Sequence, residues 1–229
     1  SSDLAVQKPD EVTDLVDFKQ PEISDTDLKA PIYIDFGPTS LSATPWNNIT
    51  SHQESSTTSW IKDVENNYTN IGVRVLDGFT ATHAGVGSEP ASPVTVDGVE
   101  FPLTAWKDGL LVKGEKNQGD VGPGRIEISQ LDVARKYNFT ILAIRFNGSK
   151  DARISSYKLV GKTESAVKEV KTGIKDAASF AAANFEEYIA KFENVEPDSE
   201  GKVIVEVKGL DTGSAAEGHI NALCISLAK

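Results

Sequence analysis

Tyr137-Asn138-Phe139-Thr140-Ile141-Leu142-Ala143-Ile144-Arg145-Phe146, then Asn147-Gly148-Ser149-Lys150-Asp151, then Ala152-Arg153-Ile154-Ser155-Ser156-Tyr157-Lys158-Leu159-Val160-Gly161, is the stretch whose reading decides the fold. Two runs of β-branched and aromatic residues flank a cluster whose members tolerate the positive φ of a tight reversal, so the stretch reads as a β-hairpin. Working outward, Ile32, Ile34 and Phe36 alternate with Tyr33 and Asp35, as a half-buried strand does. Residues 71–76 repeat the pattern, with Ile71, Val73 and Val75 on one face and Arg74 on the other. Residues 106–112, 124–129, 154–160, 201–208 and 219–227 are further strands, and 38–48 and 80–93 are loops. Short strands at regular spacing predict an all-β antiparallel sandwich of jelly-roll type with at most one or two short helices.

One segment has a different period. Val167, Val170, Ile174, Ala178, Ala181, Phe185, Tyr188 and Phe192 recur at three- and four-residue steps. The alanine-rich run within it favours a short helix over 175–183, and a strand follows; one reading sets residues 187–194 opposite 203–208. At 229 residues the chain can bury roughly 70–75% of its unfolded surface, which supports a core without disulfides. Residues 1–30, acidic and containing Pro9 and Pro21, read as a tether or partly ordered tail, with residues 31–229 as a single domain. A frayed terminus or a first strand near Leu15 to Phe18 fits the same residues.

Charge and cysteine content narrow the function. Lys and Arg number 23 against 34 Asp and Glu, a net charge of -11 that repels nucleic-acid backbones. No apolar run approaches a membrane-spanning length. Cys224, the sole cysteine, lies in an apolar run and reads as a core thiol. Asn48, Asn67, Asn138 and Asn147 each begin an Asn-x-Ser/Thr sequence, a glycan acceptor in a eukaryotic secretory protein. Asn138, at a strand start, is poorly placed for that role.

The ordered succession Ile32-Tyr33-Ile34-Asp35-Phe36-Gly37, Trp46-Asn47-Asn48-Ile49-Thr50, Leu131-Asp132, Tyr137-Asn138-Phe139-Thr140, then Arg145, Gly148-Ser149, Arg153, Tyr157, Gly161, and finally Phe192 to Asp198, Gly201-Lys202 and His219 to Leu223 covers most of the domain. It resembles the galactose-binding-like β-sandwich modules of secreted and surface proteins of Bacteroidetes, some of which adjoin glycan-active hydrolase domains. The resemblance implies export to the cell exterior, as a secreted protein or an outer-membrane surface lipoprotein, and sugar recognition by loops at one end of the sandwich. The alanine-rich segment near 164–187 departs from the pattern.

Sugar recognition needs a flat apolar face for the pyranose ring and polar groups for its hydroxyls. Trp46 with Asn47 and Asn48, Trp106 with Asp108, and Arg153 are the candidate ligand-binding residues. Each has an ordinary alternative: the tryptophans can close the end of the sandwich, and Arg153 and Arg145 can pair with local acids. Trp60 reads as a core residue. His52, His83 and His219 have no paired metal spacing, and no Gly-x-Ser-x-Gly or His-Glu-x-x-His sequence occurs, so the chain reads as non-enzymatic, without a cofactor but with room for structural calcium in its turns. The expected function is a non-catalytic, extracytoplasmic carbohydrate-binding module. The alternatives are a structural or adhesive protein-interaction module, or the ancillary domain of a glycan-active hydrolase.

Overall fold

A computed structural model describes residues 28–113, 122–146, 153–210 and 217–229. Its strands are β1 (Ile32–Phe36), β2 (Asn47–Ile49), β3 (Thr57–Thr58), β4 (Gly72–Asp77), β5 (Ala81–His83), β6 (Val94–Val96), β7 (Val99–Phe101), β8 (Gly109–Lys113), β9 (Gly124–Ser129), β10 (Tyr137–Leu142), β11 (Arg145–Phe146), β12 (Ile154–Val160), β13 (Lys168–Lys171), β14 (Gly173–Ile174), β15 (Ile189–Val195), β16 (Val203–Gly209), β17 (Glu217–Ile220) and β18 (Ala222–Leu227). Two short helices, α1 (Leu103–Lys107) and α2 (Ala177–Ala181), and a 3-10 turn at Phe185–Tyr188 complete the described elements.

The fold is an antiparallel β-sandwich. One layer runs β15-β10-β18-β1-β2 and the other β13-β12-β16-β9-β4-β3. Within them only β1 and β2 pair in parallel. From β9 onward the long strands β9, β10, β12, β15, β16 and β18 alternate between the layers, the jelly-roll habit expected from the sequence. Alternation supplies the apolar wall on each side: Phe139, Ile141, Leu223 and Ile225 from one sheet meet Ile126, Ile128, Val205 and Leu159 from the other.

The hairpin expectation is corrected. β10 pairs with β15 and β18, whereas β12 pairs with β13 and β16, so the two runs lie in opposite layers. Period-two alternation records which face of a strand is buried but not which strand lies beside it, and a corner between sheets satisfies it as well as a hairpin does. The proposed reversal at 147–151 lies outside the described residues. The strand after the alanine-rich segment also has a different partner: β15 lies against β10, not against β16. The helix expected at 175–183 is present as α2, its first turn fixed by Asp176, whose carboxylate accepts from the Ser179 N–H at 2.8 Å.

The two outer faces differ. On the β9 side, opposite charges face one another across strands, with Arg74 opposite Glu127, and Glu206 opposite both Arg125 and Lys158, so that face is solvated. The β1 sheet is covered on its outer side as well. A second core of Val94, Phe101, Trp106, Phe180, Tyr188, Ala222 and Cys224 fills that side, so β1 is not half-buried as its alternation suggests. Cys224 is buried and its thiol pKa is pushed up by desolvation, consistent with a packing role. Trp60, expected in a core, is only partly buried. Leu28 and Ala30 are buried, so packing begins ahead of the expected boundary at residue 31; residues 1–27 of the expected tether lie outside the described residues. No described helix is long and apolar enough to cross a membrane.

Trp106 anchors the second core. The expected strand over 106–112 begins as helix, because Pro102 supplies an extended N-cap and α1 carries Trp106 inward before β8 starts. The indole is fully buried, stacks on Phe180 with ring centroids 4.9 Å apart, and donates its N–H to the Ser92 carbonyl at 3.2 Å. Trp106→Phe removes that hydrogen bond and leaves part of the volume empty. It should lower unfolding free energy by about 1–3 kcal/mol in chemical denaturation; an unchanged midpoint would contradict this packing role.

Candidate binding site at one end of the sandwich

The residues expected to bind sugar do not form one exposed surface. Trp46 is half-buried, with its ring against Tyr33 and Phe101 at centroid distances of 5.1 and 5.7 Å. The Asn47 amide donates to the carbonyls of Tyr33 and Lys62 and accepts from the Lys62 N–H, and the Asn48 amide is bonded in both directions to the Ser42 backbone. Trp106 is enclosed in the second core. These side chains hold the fold together, and Trp106 has no face open to a ligand.

Asp108 has a related structural task. It is fully buried, and Oδ2 accepts from the N–H groups of Thr39 and Ser40 at 2.8 and 3.0 Å, folding residues 37–40 around its carboxylate. Gly37 permits that approach: its φ is +134°, and a Cβ there would lie 2.4 Å from Asp108 Oδ2. Asp35 lies nearby in charge terms, fully buried, with Oδ2 accepting from the Ser42 N–H at 3.0 Å. Burial, reinforced by Asp108, raises its pKa to about 7 despite the hydrogen bonds from Ser42. Each acid retains a buried Oδ1 without a hydrogen-bond partner.

Arg153, the remaining candidate, lies in a different setting. It is 4% exposed and precedes β12, where a backbone clasp brings three segments together. The Arg145 N–H donates to the Thr172 carbonyl at 2.7 Å, and the Thr172 N–H donates to the Arg153 carbonyl at 2.9 Å. β17 closes the same end: the His219 N–H donates to Ser155 Oγ at 2.8 Å, and the Tyr157 hydroxyl donates to the His219 carbonyl. β17 and β5 both pair with β8, and the imidazoles of His219 and His83 meet edge-on at 5.2 Å. Beneath them the Asn221 side chain accepts from the Ile144 N–H and donates to the carbonyls of Trp106 and Asp108.

The resulting cluster has few partners for its donors. Arg153 Nη2 lies 3.7 Å from Glu217 Oε2, too far for a hydrogen bond, and Arg153 Nε and Nη1 have no partner. His219 Nε2 lies 3.4 Å from the same oxygen without directed hydrogen-bond geometry, and His219 Nδ1 is unpartnered. Arg145 reaches His83 Nδ1 at 3.4 Å, while Arg145 Nε, His83 Nε2 and the fully buried Thr172 Oγ1 stand unpartnered. Burial pushes the pKa of His83 well down, helped by His219 and the two arginines, and burial also lowers that of His219. Both imidazoles are therefore neutral at pH 7. Arg145 is lowered by burial and by Arg153, while contact with His219, then the charges of Arg153 and Arg145, draws Glu217 down to about 2 against desolvation.

More than nine in ten buried polar groups in folded proteins are paired, so this concentration of orphan donors in one place is unusual. Arg145 and Glu217 are only partly buried, so the cluster reaches solvent on their side. Arg153 was legible as a candidate from sequence, and Arg145 was noted beside it. His83, Thr172, Glu217 and His219 were not. The one available signal was Glu217-x-His219, whose two-residue step puts both side chains on one strand face. Among the described residues, no group of three or more His, Cys, Asp and Glu side chains is arranged to hold a metal.

No protein-family model and no curated protein matches the sequence. Among solved structures the chain is similar to the ANX2 ectodomain from Arabidopsis thaliana, at 7% identity and TM-score 0.43, over 79% of this chain and 55% of that one. It is also similar to truncated AlyQ with CBM32 and alginate lyase domains, at 12% identity and TM-score 0.30, over 77% of this chain and 35% of that one. A third is the CBM51-2 and INT domains from Clostridium perfringens ZmpB in complex with GlcNAc, at 11% identity and TM-score 0.30, over 77% and 39%. The chain thus spans little more than half of the ANX2 ectodomain and less of the other two.

Proposed function

We propose that this protein is a non-catalytic, extracytoplasmic carbohydrate-binding module whose site is the end of the sandwich formed by His83, Arg145, Arg153, Thr172 and His219. The observation that carries the reading is the set of buried, unpartnered donors there. A sugar presents hydroxyl and ring oxygens at close spacing, and such oxygens accept from guanidinium and imidazole N–H groups held in fixed positions. His83, whose Nδ1 accepts from Arg145, has its Nε2–H to donate, and the neutral His219 ring can donate one hydrogen and accept one, which suits a hydroxyl. The orphan groups cost stability in the free protein, and that cost is recovered when a ligand satisfies them.

The test is glycan-array binding by the full chain, followed by calorimetry on any glycan retained. Binding should weaken at least tenfold in Arg153→Met, which preserves the length of the side chain and removes its donors. Because the substitution also takes from Glu217 the guanidinium 3.7 Å away, binding is compared at a temperature at which parent and variant both lie below their cooperative unfolding transitions. Failure of the parent chain to retain any glycan would overturn the reading.

A further inference from the structure

We infer that the buried imidazoles of His83 and His219 make this end of the sandwich an acid-released latch: neutral, they tie the small sheet β17-β8-β5 to the rest of the domain, and a proton on either one loosens it. The device stands on the cluster alone, whether or not a sugar is its ligand. The two histidines lie on β5 and β17, the outer strands of that three-stranded sheet, with His83 5% exposed and His219 fully buried. Each carries a tie. His83 Nδ1 accepts from Arg145 on β11 at 3.4 Å, which requires a lone pair on that nitrogen. His219 is held to β12 by its backbone, through Ser155 Oγ and the Tyr157 hydroxyl, and its ring meets that of His83 edge-on at 5.2 Å.

At neutral pH the charges around the pair are matched. Arg145 and Arg153 stand on one side, and Glu217, with Glu89 acting on Arg145, on the other. β8, between the two strands, sets Lys113 opposite Glu217, and Asp108 just ahead of it commits its carboxylate to the Thr39 and Ser40 N–H groups. β16 meets β17 at the backbone, where Gly218 packs on Lys208. A proton added to His83 goes to Nδ1 and turns the acceptor of the Arg145 bond into a second donor. A proton added to His219 places a third cation beside the two guanidinium groups, with Glu217 at 3.4 Å to offset it. Burial above all lowers both imidazole pKa values in the closed form, so the open form takes the proton first. Opening is therefore favoured as pH falls below about 6.5, the ordinary imidazole value.

Hydrogen exchange on the full chain at pH 7.5, 6.5 and 5.5, corrected for the intrinsic rate at each pH, reads β5 and β17 separately from the core strands β10 and β18. Protection on β5 and β17 should fall by roughly tenfold or more over that range, about tenfold for each histidine that charges on opening. On β10 and β18 it should fall by a smaller factor, because global unfolding also exposes Asp35, whose raised pKa gives the opposite slope. His83→Gln and His219→Gln each keep a group that accepts and donates but cannot charge, so the double variant should lose the acid response of β5 and β17. A lost packing contact alone would lower protection by the same factor at every pH. The latch is overturned if the double variant responds to acid as steeply as the parent, or if β5 and β17 in the parent lose protection no faster than the core. Should the glutamine variants not fold, ring-proton NMR of the parent decides: either cluster imidazole titrating at 6.5 or above in the folded chain overturns the inference, and both staying neutral well below that value supports it.

Discussion

Glu217→Gln is expected to lower the unfolding free energy by about 3 kcal/mol at pH 7, or roughly 6–12 °C in Tm for a domain of this size. Among the described residues Glu217 is the acid in contact with Arg153 and His219, and it has the surroundings of a partly buried ion rather than a surface pair. The amide keeps the shape and removes the charge, so Arg153 loses the carboxylate 3.7 Å from it. The pH dependence follows from the position of the carboxyl, which is drawn from 4.5 down to about 2 in the folded protein. A depressed carboxylate pKa means that the stabilisation is complete above about pH 4.5 and decays as pH falls towards 2. Parent and variant should therefore differ most near neutrality and converge at low pH, as read by guanidinium titrations at pH 7, 4 and 2.5. A constant difference across that range would show that shape, not charge, is responsible.

Asp35→Asn should act in the opposite direction. The folded-state pKa of Asp35 is raised from 3.8 to about 7, chiefly by burial, so folding holds a proton that the unfolded chain has already released. That imposes no penalty below about pH 4, a growing one between pH 4 and 7, and the full one above it. The shift corresponds to about 4 kcal/mol, and asparagine cannot ionise. Its carbonyl can take the place of Oδ2 as acceptor for the Ser42 N–H, and its NH2 stands where Oδ1 has no partner. The variant should gain on the order of 10 °C in Tm at pH 8 and nothing at pH 4. A loss of stability at pH 8 would mean that the ionised carboxylate is needed where it stands.

The two acids show what a fold-level reading misses. Asp35 lies on a strand read from the sequence, Glu217 lies ahead of the strand expected over 219–227, which is β17 and β18 in the structure, and neither environment is visible in the strand itself. Asp35 appears in the alternation of β1 as an outward-facing residue and is fully buried, because residues 37–48 and α1 cover that side of the sheet. Trp46, Asn47, Asn48 and Asp108 have the residue types of a sugar site, yet the amides and the carboxylate are used by nearby backbone and Trp46 packs on Tyr33 and Phe101. A side chain's capacity to bind is a property of its type. Its availability is a property of its neighbours.

Local sequence was enough to determine that the chain forms extended segments with one buried face each, that they stack as a sandwich, that a short helix follows residue 175, and that Cys224 is a core residue. Those features depend on backbone preference and on apolar residues repeating within a few positions, and both are set along the chain itself. Tertiary structure alone decided that β10 and β12 lie in opposite sheets, that the β1 sheet is covered twice, and that His83 meets Arg145 from 62 positions away while Glu217 meets Arg153. Such encounters are selected by the energy of closing the whole core. Many pairings satisfy the same alternation, and only the one that buries both sheets together brings these four side chains to one place.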